Sequence, residues 1–410
     1  MTDQFISYPK TPEHSHHGPL AVQIDSFAKR LLNQGYAINT CKAKILLVAD
    51  LGHWIKRKQF HISSLDEKKI CEFIKFRLSR YRPNCHENAT LRDFLAHLRG
   101  AGIVAVPAPA VDNSPLGRIE SNFARYLEQE RGLAQVTIDG YIPIVRRFLC
   151  ERFGTNIILL EELTPPDITQ FILHHAHIDS PSRAKLAVTV LRSFLQFLYQ
   201  RGQISTDLSN FVPTVANWCL SELPKFLKPK EVERLLQGCD QSSPGGQRDY
   251  TILLLLARLG LRAGEVVHME LDDIFWETGE FIVRGKSARQ DRLPLPQDVG
   301  EALATYLCHG RPRCSSRRVF IRMRAPHQGF SSSCAISDIV RRAFARAKLH
   351  RERKGAHLLR HTLATDMLRQ GASLTEIGEI LRHQLAHTTE IYAKVAVAEL
   401  KSLAQPWIGG

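Results

Sequence analysis

No two of the nine cysteines form a CxxC pair and none stands at a ligand's spacing from a histidine, so no motif for a structural zinc site is present. Their odd number and scatter (Cys41, Cys71, Cys85, Cys150, Cys219, Cys239, Cys308, Cys314, Cys334) give no disulfide framework either. They are expected as core residues of a protein kept in a reducing cytoplasm. Long hydrophobic runs are missing too: the longest, Ile252 to Ala257, is far short of the roughly 20 residues that cross a bilayer, and no membrane partner is expected. The first residues carry acid, histidine and proline where a signal peptide has a basic start and an apolar centre. Acidic charge is in deficit, 41 Asp and Glu against 55 Lys and Arg, for a net charge of +14. Such a chain is drawn to polyanions, nucleic acid first, although a merely solvated basic surface would have the same charge. With 44% hydrophobic and 23% charged residues it is not disordered, and 410 residues suffice for two or three domains.

Residues 1–19 read as a flexible leader. From Gln23 to Leu51 two helices are expected, separated by Asn33-Gln34-Gly35 and started again by the cap-like Asn39-Thr40. The pattern then recurs. Phe27, Leu31, Gly35, Ala37 and Thr40 have counterparts in Phe123, Leu127, Gly132, Ala134 and Thr137, and Leu65, Ile70 and Phe73 in Leu163, Ile168 and Phe171. LRDFLAHLRGAG, from Leu91, matches LRSFLQFLYQRG, from Leu191. Three matched blocks in the same order predict a duplicated helical domain, residues 20–103 and 117–205. A proline-rich linker, 104–116, separates the copies, and a second linker, 206–224, follows them.

Residues 225–410 read as one larger domain. It opens with a helix carrying Val232, Leu235 and Leu236 on one face, followed by an apolar helix from Asp249 to Leu259. Two short alternating segments, Phe281–Val283 and Arg292–Leu295, joined by GKSARQD, predict a β-hairpin. Helices return at Ile336–Lys348, Leu358–Gln370 and Leu374–Leu381, and again from Val395. The expected fold class is mainly α with a small β-sheet.

Four separated segments of this domain bring polar groups of one kind. GLRAGEV carries Arg262 and Glu265, and the hairpin turn carries Lys286. HLLRH places His357 and Arg360 three apart on one helical face, with His361 pointing elsewhere. LRHQLAHTTEIYAKV holds His383 and, nine residues on, Tyr392. In order and spacing these segments resemble the catalytic domain of the tyrosine recombinase, or phage integrase, family across residues 222–410. The second helical copy resembles the family's SAM-like core-binding domain, and the first copy resembles it through the internal repeat. One departure stands out: Arg382 precedes His383 where glycine is usual in the family. His387 competes chemically with His383, but the spacing to Tyr392 favours His383.

The chemistry agrees with the resemblance. Substitution at phosphorus crowds negative charge onto the phosphoryl oxygens, and two guanidiniums, Arg262 and Arg360, offer paired donors that stay charged at any relevant pH. His357 and His383 add hydrogen bonds and proton traffic near neutrality. Tyr392, a poor nucleophile when neutral, gains from a cationic site that favours its phenolate. The resemblance implies a linkage to the DNA 3′ end, with Lys286 as the acid that protonates the departing 5′-oxygen. Glu265 is expected to orient neighbouring side chains, since a carboxylate beside the phosphate would oppose catalysis, and His361 is expected to be structural. Arg351, Arg353 and Lys354 are expected to hold DNA backbone.

The expectation is therefore a site-specific DNA recombinase of a mobile element, acting on double-stranded DNA in the cytoplasm without metal or cofactor. The resemblance further implies a homo-oligomer, a tetramer on synapsed sites, helped by accessory recombinases or DNA-bending proteins. Val397, Leu400, Leu403 and Trp407 have helical spacing, a face that either docks on a neighbouring subunit, as the resemblance implies, or packs on the same chain. Open beside this reading are a related strand-transfer enzyme, such as a type IB topoisomerase or telomere resolvase, and an inactive DNA-binding homologue.

Overall fold

The computed structural model describes residues 20–80, 86–107, 112–154, 157–215, 225–285, 290–351, 354–383, 385 and 388–395. The expected leader, the end of the second linker and the tail from residue 396 lie outside the described residues. The chain divides into two compact units, one made of Met1–Val106 with Leu223–Gly410, the other of Pro107–Glu222.

The first helical bundle comprises α1 (Ala21–Asn33), α2 (Ile38–Lys58), α3 (Glu67–Leu78) and α4 (Glu87–Gly100). The second comprises α5 (Pro115–Gln129), α6 (Gln135–Phe153), α7 (Pro165–Ile178) and α8 (Pro181–Gln200). Residues matched in sequence do the same structural work in both. Phe27 and Phe94 pack edge to face, centroids 5.2 Å apart at 72°, and Phe123 and Phe194 pack at 5.1 Å and 75°. A 3-10 turn precedes the buried Leu65 in one bundle and the buried Leu163 in the other. Each final helix ends on a glycine in the left-handed region, Gly102 (φ +70°) and Gly202 (φ +66°). The next N–H donates back into the helix, from Ile103 to Leu98 O at 3.0 Å and from Gln203 to Leu198 O at 2.9 Å.

The break between α1 and α2 falls at Gly35, with φ +80°. Asn39 and Thr40, expected as a cap, instead sit in the first turn of α2, because Ala37 is already extended (ψ 145°) and leads directly into the helix. Gln34 O accepts a hydrogen bond from His327 N at 2.8 Å, tying this bundle to the C-terminal domain. A Cβ on Gly35 would come within 1.9 Å of the His327 ring, so only glycine fits that contact.

The C-terminal domain is built around α10 (Pro244–Arg258), which follows α9 (Pro229–Gln237). Ser243 starts α10 by accepting from Gly246 N, with Pro244 in the first turn. The helix therefore begins five residues before the expected Asp249. Ile252 to Leu256 are buried all round, so α10 is a core helix packed on several faces. Each such side chain stabilises by about 1.5–3 kcal/mol, and Leu255→Ala would cost about 2–5 kcal/mol. After α11 (Ala263–His268) comes a three-stranded antiparallel sheet: β1 (Ile274–Phe275), β2 (Glu280–Arg284) and β3 (Gln290–Pro294). Ile282 faces Arg292 across the hairpin, while Phe281 and Val283 turn into the core. The two-residue β1, too short for a periodic signal, was not foreseen.

Helices α12 (Gln297–Thr305), α13 (Cys334–Arg346), α14 (Ala356–Arg369) and α15 (Leu374–Ile380) complete the domain, with a 3-10 turn at Glu390–Val395. A small second core joins Ala364, Leu368, Ile377, Leu381 and Tyr392. Among the described residues no helix is long and apolar enough to cross a membrane. The described cysteines are free; Cys41 and Cys239 are buried as expected, but Cys71, Cys150, Cys308 and Cys334 are exposed, being small enough to sit on polar helix faces.

Candidate active site

The turn between α10 and α11 puts Arg262 in place. Gly260 has φ +58°, and a Cβ there would approach Leu381 Cδ2 to 2.7 Å, so the tight turn and the close passage both require glycine. Arg262 is the residue immediately before α11, and Glu265 Oε2 accepts its backbone N–H at 2.8 Å, satisfying an otherwise open helix-start donor. The same carboxylate accepts from Arg262 Nη1 at 2.8 Å through its other oxygen, while Nη2 reaches Arg382 O at 3.4 Å. Glu265 is buried and the Arg262 guanidinium is partly exposed, so the acid lies behind the cation and away from solvent.

Helix α14 carries the next three residues. Arg360 is buried, and its two terminal nitrogens donate to Gly260 O and Leu381 O. One guanidinium thus clamps the backbone just before Arg262 to the backbone just before His383. Burial, with the charges of Arg262 and Arg382, lowers its pKa to about 10, leaving it cationic at neutral pH. His357, one turn earlier, is exposed. Crowding by protein atoms and the cations Arg360 and Arg262 lower its pKa. His361 stands four residues after His357 on the same helix, a spacing that puts both on one side, so it does not point elsewhere as expected. Its Nδ1 lies 2.8 Å from the Tyr392 hydroxyl, and the rings are 5.6 Å apart.

The segment after α15 carries the remaining groups. Ser373 and Glu376 form a capping box that starts α15, and the helix ends at Leu381 and Arg382. Arg382 adopts φ +55° and is buried; its Nη2 donates to Glu265 Oε2 at 2.8 Å. His383 Nδ1 lies 2.7 Å from Thr389 Oγ1, which fixes the imidazole plane. Burial and the nearby cations, Arg360 first, push the His383 pKa down to about 4. Tyr392 is 1% exposed, and burial raises its phenol to about 12 against the pull of Arg360. The hydroxyl is therefore neutral and covered in this state. A cleft of about 700 Å³ opens beside these residues, lined by Arg292, Leu374, Glu379, Arg382, His383 and Thr389 among others.

The structure thus brings Arg262, Glu265, Arg360 and His383 into one network, with Tyr392 and His361 packed beside it. Lys286 lies outside the described residues, as do Arg289, Arg353 and His387. Arg284 is held by Asp273 at 2.7 Å and Arg292 by Glu280 at 3.1 Å. Arg351, expected on DNA backbone, is paired with Glu231 at 2.6 Å, a residue 120 positions away that only folding brings near, and its side chain stays 43% exposed. Sequence reasoning missed the contacts of Arg382, Thr389 and His361. The glycine-to-arginine departure at 382 was the one available signal. Among the described residues no three His, Cys, Asp or Glu side chains gather as a metal site.

Residues 225–399 match the sequence model of the phage integrase family, and residues 121–202 match the phage integrase N-terminal SAM-like domain. Over 395 residues the chain is 43% identical to the Sinorhizobium fredii protein named "Putative integrase/recombinase y4rA", covering 96% of this chain and 95% of that protein. It is 29% identical to the tyrosine recombinase XerC of Bacillus subtilis, covering 68% of this chain and 92% of XerC. Its fold is similar to that of the XerH site-specific recombinase bound to palindromic difH substrate (TM-score 0.57, 18% identity, 82% of this chain and 94% of that one). It is also similar to that of a lambda integrase tetramer bound to a Holliday junction (TM-score 0.52, 20% identity, 73% and 86%). The mostly helical domain with its three-stranded sheet, the SAM-like bundle before it and a near full-length relative at 43% identity agree: this chain belongs to the phage integrase family of tyrosine recombinases, enzymes that cut DNA and rejoin it.

Proposed function

We propose that this recombinase serves a mobile element and that Tyr392 is its nucleophile. The phenolic oxygen bonds to the scissile phosphorus as the bond to the 5′-oxygen breaks, leaving a 3′-phosphotyrosyl linkage and a free 5′-hydroxyl. The reverse attack by a 5′-hydroxyl reseals DNA with no external energy source. Arg262 and Arg360 meet the charge that builds on the phosphoryl oxygens. Lys286 protonates the departing oxygen. His357 and His383, their pKa values lowered by burial and nearby cations, hydrogen-bond to the phosphate, and the phenolic proton passes to the imidazole in contact with it, that of His361. Glu265 orients Arg262.

The observation that carries the reading is the clamp of Arg360 between Gly260 O and Leu381 O, which holds the Arg262 and His383 segments together from 100 and 21 residues away. Because the hydroxyl of Tyr392 is covered, the 390–395 turn has to shift when DNA binds, so cutting is coupled to binding. The likeness to a recombinase held on its substrate and to an integrase tetramer supports double-stranded DNA and a homo-oligomer, a tetramer on paired sites, as partners. Accessory DNA-bending proteins and a cytoplasmic, DNA-associated location complete the proposal. The matching phenylalanine pairs inside each bundle support a duplicated core-binding domain.

Covalent trapping tests it. A duplex selected by binding from a randomised library, carrying a series of nicks so that the short 5′-hydroxyl fragment diffuses away, should give a protein–DNA adduct with the wild type and none with Tyr392→Phe. Tight binding without an adduct at any nick would refute the role of Tyr392.

A further inference from the structure

Arg382 bears two costs at once. It is a non-glycine residue at φ +55°, and its buried Nε finds no hydrogen-bond partner among the described residues. A residue chosen for stability alone would bear neither; glycine would remove both. What the position gains is a second cation on Glu265. The carboxylate binds Arg262 through Oε1 and Arg382 through Oε2, both at 2.8 Å, with the Arg382 and Glu265 side chains only 5% and 4% exposed. The main chain of Arg382 also takes part, since its carbonyl accepts from Arg262 Nη2 at 3.4 Å.

Resting on the strand-transfer reading above, we infer that Arg382 is a positioning residue: it neutralises Glu265, so that Arg262 stays oriented by the carboxylate yet keeps a net positive charge for the scissile phosphate. The charge count gives the reason. Arg262 with Glu265 alone is a neutral ion pair, whereas adding Arg382 leaves the trio with one net positive charge in a low-dielectric pocket, where that difference acts strongly. Arg382 touches neither the phosphate nor the nucleophile in this role; it acts through Glu265 and Arg262. Its guanidinium is tied to a buried acid, which distinguishes it from the surface arginines that engage DNA backbone.

The test is single-turnover trapping on the selected nicked duplex at saturating DNA, with binding measured separately. Arg382→Gly is expected to slow adduct formation at least about tenfold while the Kd changes less than about threefold, because the loss falls on the transition state. Arg382→Gly combined with Glu265→Gln should recover most of the rate, since a neutral amide can still hold Arg262 without cancelling its charge. Arg382→Met, similar in length and uncharged, repeats the measurement with a side chain present, and Arg382→Lys should stay within a fewfold of wild type. A purely structural arginine gives no such rescue. Equal rates for Arg382→Gly and wild type, or a double variant no faster than Arg382→Gly, overturn the role of Arg382 alone. A wild type that forms no adduct overturns it together with the strand-transfer reading.

Discussion

Replacing Arg360 by lysine keeps the positive charge and removes the fork. In the folded protein the guanidinium donates to two carbonyls on opposite sides, Gly260 O and Leu381 O, and it is 5% exposed. A single ammonium cannot span both acceptors, so one buried carbonyl loses its partner, a cost of about 1–3 kcal/mol. For a domain of this size that lowers the thermal midpoint by about 2–4 °C per kcal/mol. The larger effect falls on the reaction. Paired donors held in one plane become a mobile point charge, and loss of one preorganised donor typically removes about 3–4 kcal/mol of transition-state stabilisation, a rate loss on the order of a hundredfold to a thousandfold. Lysine is the informative substitution because alanine opens both carbonyls, and the summed penalty of about 2–6 kcal/mol approaches the whole stability of a typical domain. The assay is the single-turnover adduct rate of Arg360→Lys at saturating DNA, with thermal unfolding beside it. A variant that traps within about fivefold of wild type, with an unchanged midpoint, would refute the clamp as the organiser of the site.

Other outcomes follow from the same geometry. His383 ionises near pH 4 in the folded protein and near 6.5 when unfolded, so the unfolded chain binds more protons between those values. Stability should fall as pH drops from about 6.5 towards 4, with a shallower fall in His383→Gln measured by thermal unfolding; identical slopes would discard the shift. The Tyr392 phenol is raised from 10 to about 12, so the stability it contributes is complete below pH 10 and is lost as pH climbs through 12. A difference titration of wild type against Tyr392→Phe at 295 nm should show a phenol ionising near the upper value, and one ionising near 10 would mean that the hydroxyl is not covered. Phe94→Ala and Phe194→Ala should each loosen their own bundle by about 3–5 kcal/mol, since both rings are fully buried in matching edge-to-face pairs. Limited proteolysis that opens only one of the two bundles would deny the equivalence.

Much of the chain could be read from local pattern. The two bundles were visible because amphipathic helices repeat their apolar positions every three or four residues and the blocks recurred in order, and the same glycine caps and phenylalanines then recur in three dimensions. The hairpin, the core helix around Ile252–Leu256 and the candidate residues Arg262, His357, Arg360, His383 and Tyr392 were legible for a related reason. Strong local periodicity places the elements, and residue types that suit a phosphoryl group recur at set spacings. Boundaries were less legible, as Asn39-Thr40 shows, because a helix start depends on backbone angles that neighbouring residues settle.

Only the tertiary structure decided who pairs with whom. Arg382 meets Glu265 across 117 positions, Arg351 meets Glu231 across 120, and His361 meets Tyr392 across 31. No periodicity encodes such contacts, which arise when separate segments pack and bring polar side chains within reach of partners far away in the chain. Burial of the Tyr392 hydroxyl belongs to the same class, since its cover comes from α14 and α15 rather than from its own turn. The sequence by itself determined the family, the order of the candidate residues along the chain and the matching apolar positions of the two bundles. Packing determined that Glu265 is shared by two arginines, that Arg360 ties two segments together and that the Tyr392 hydroxyl rests covered.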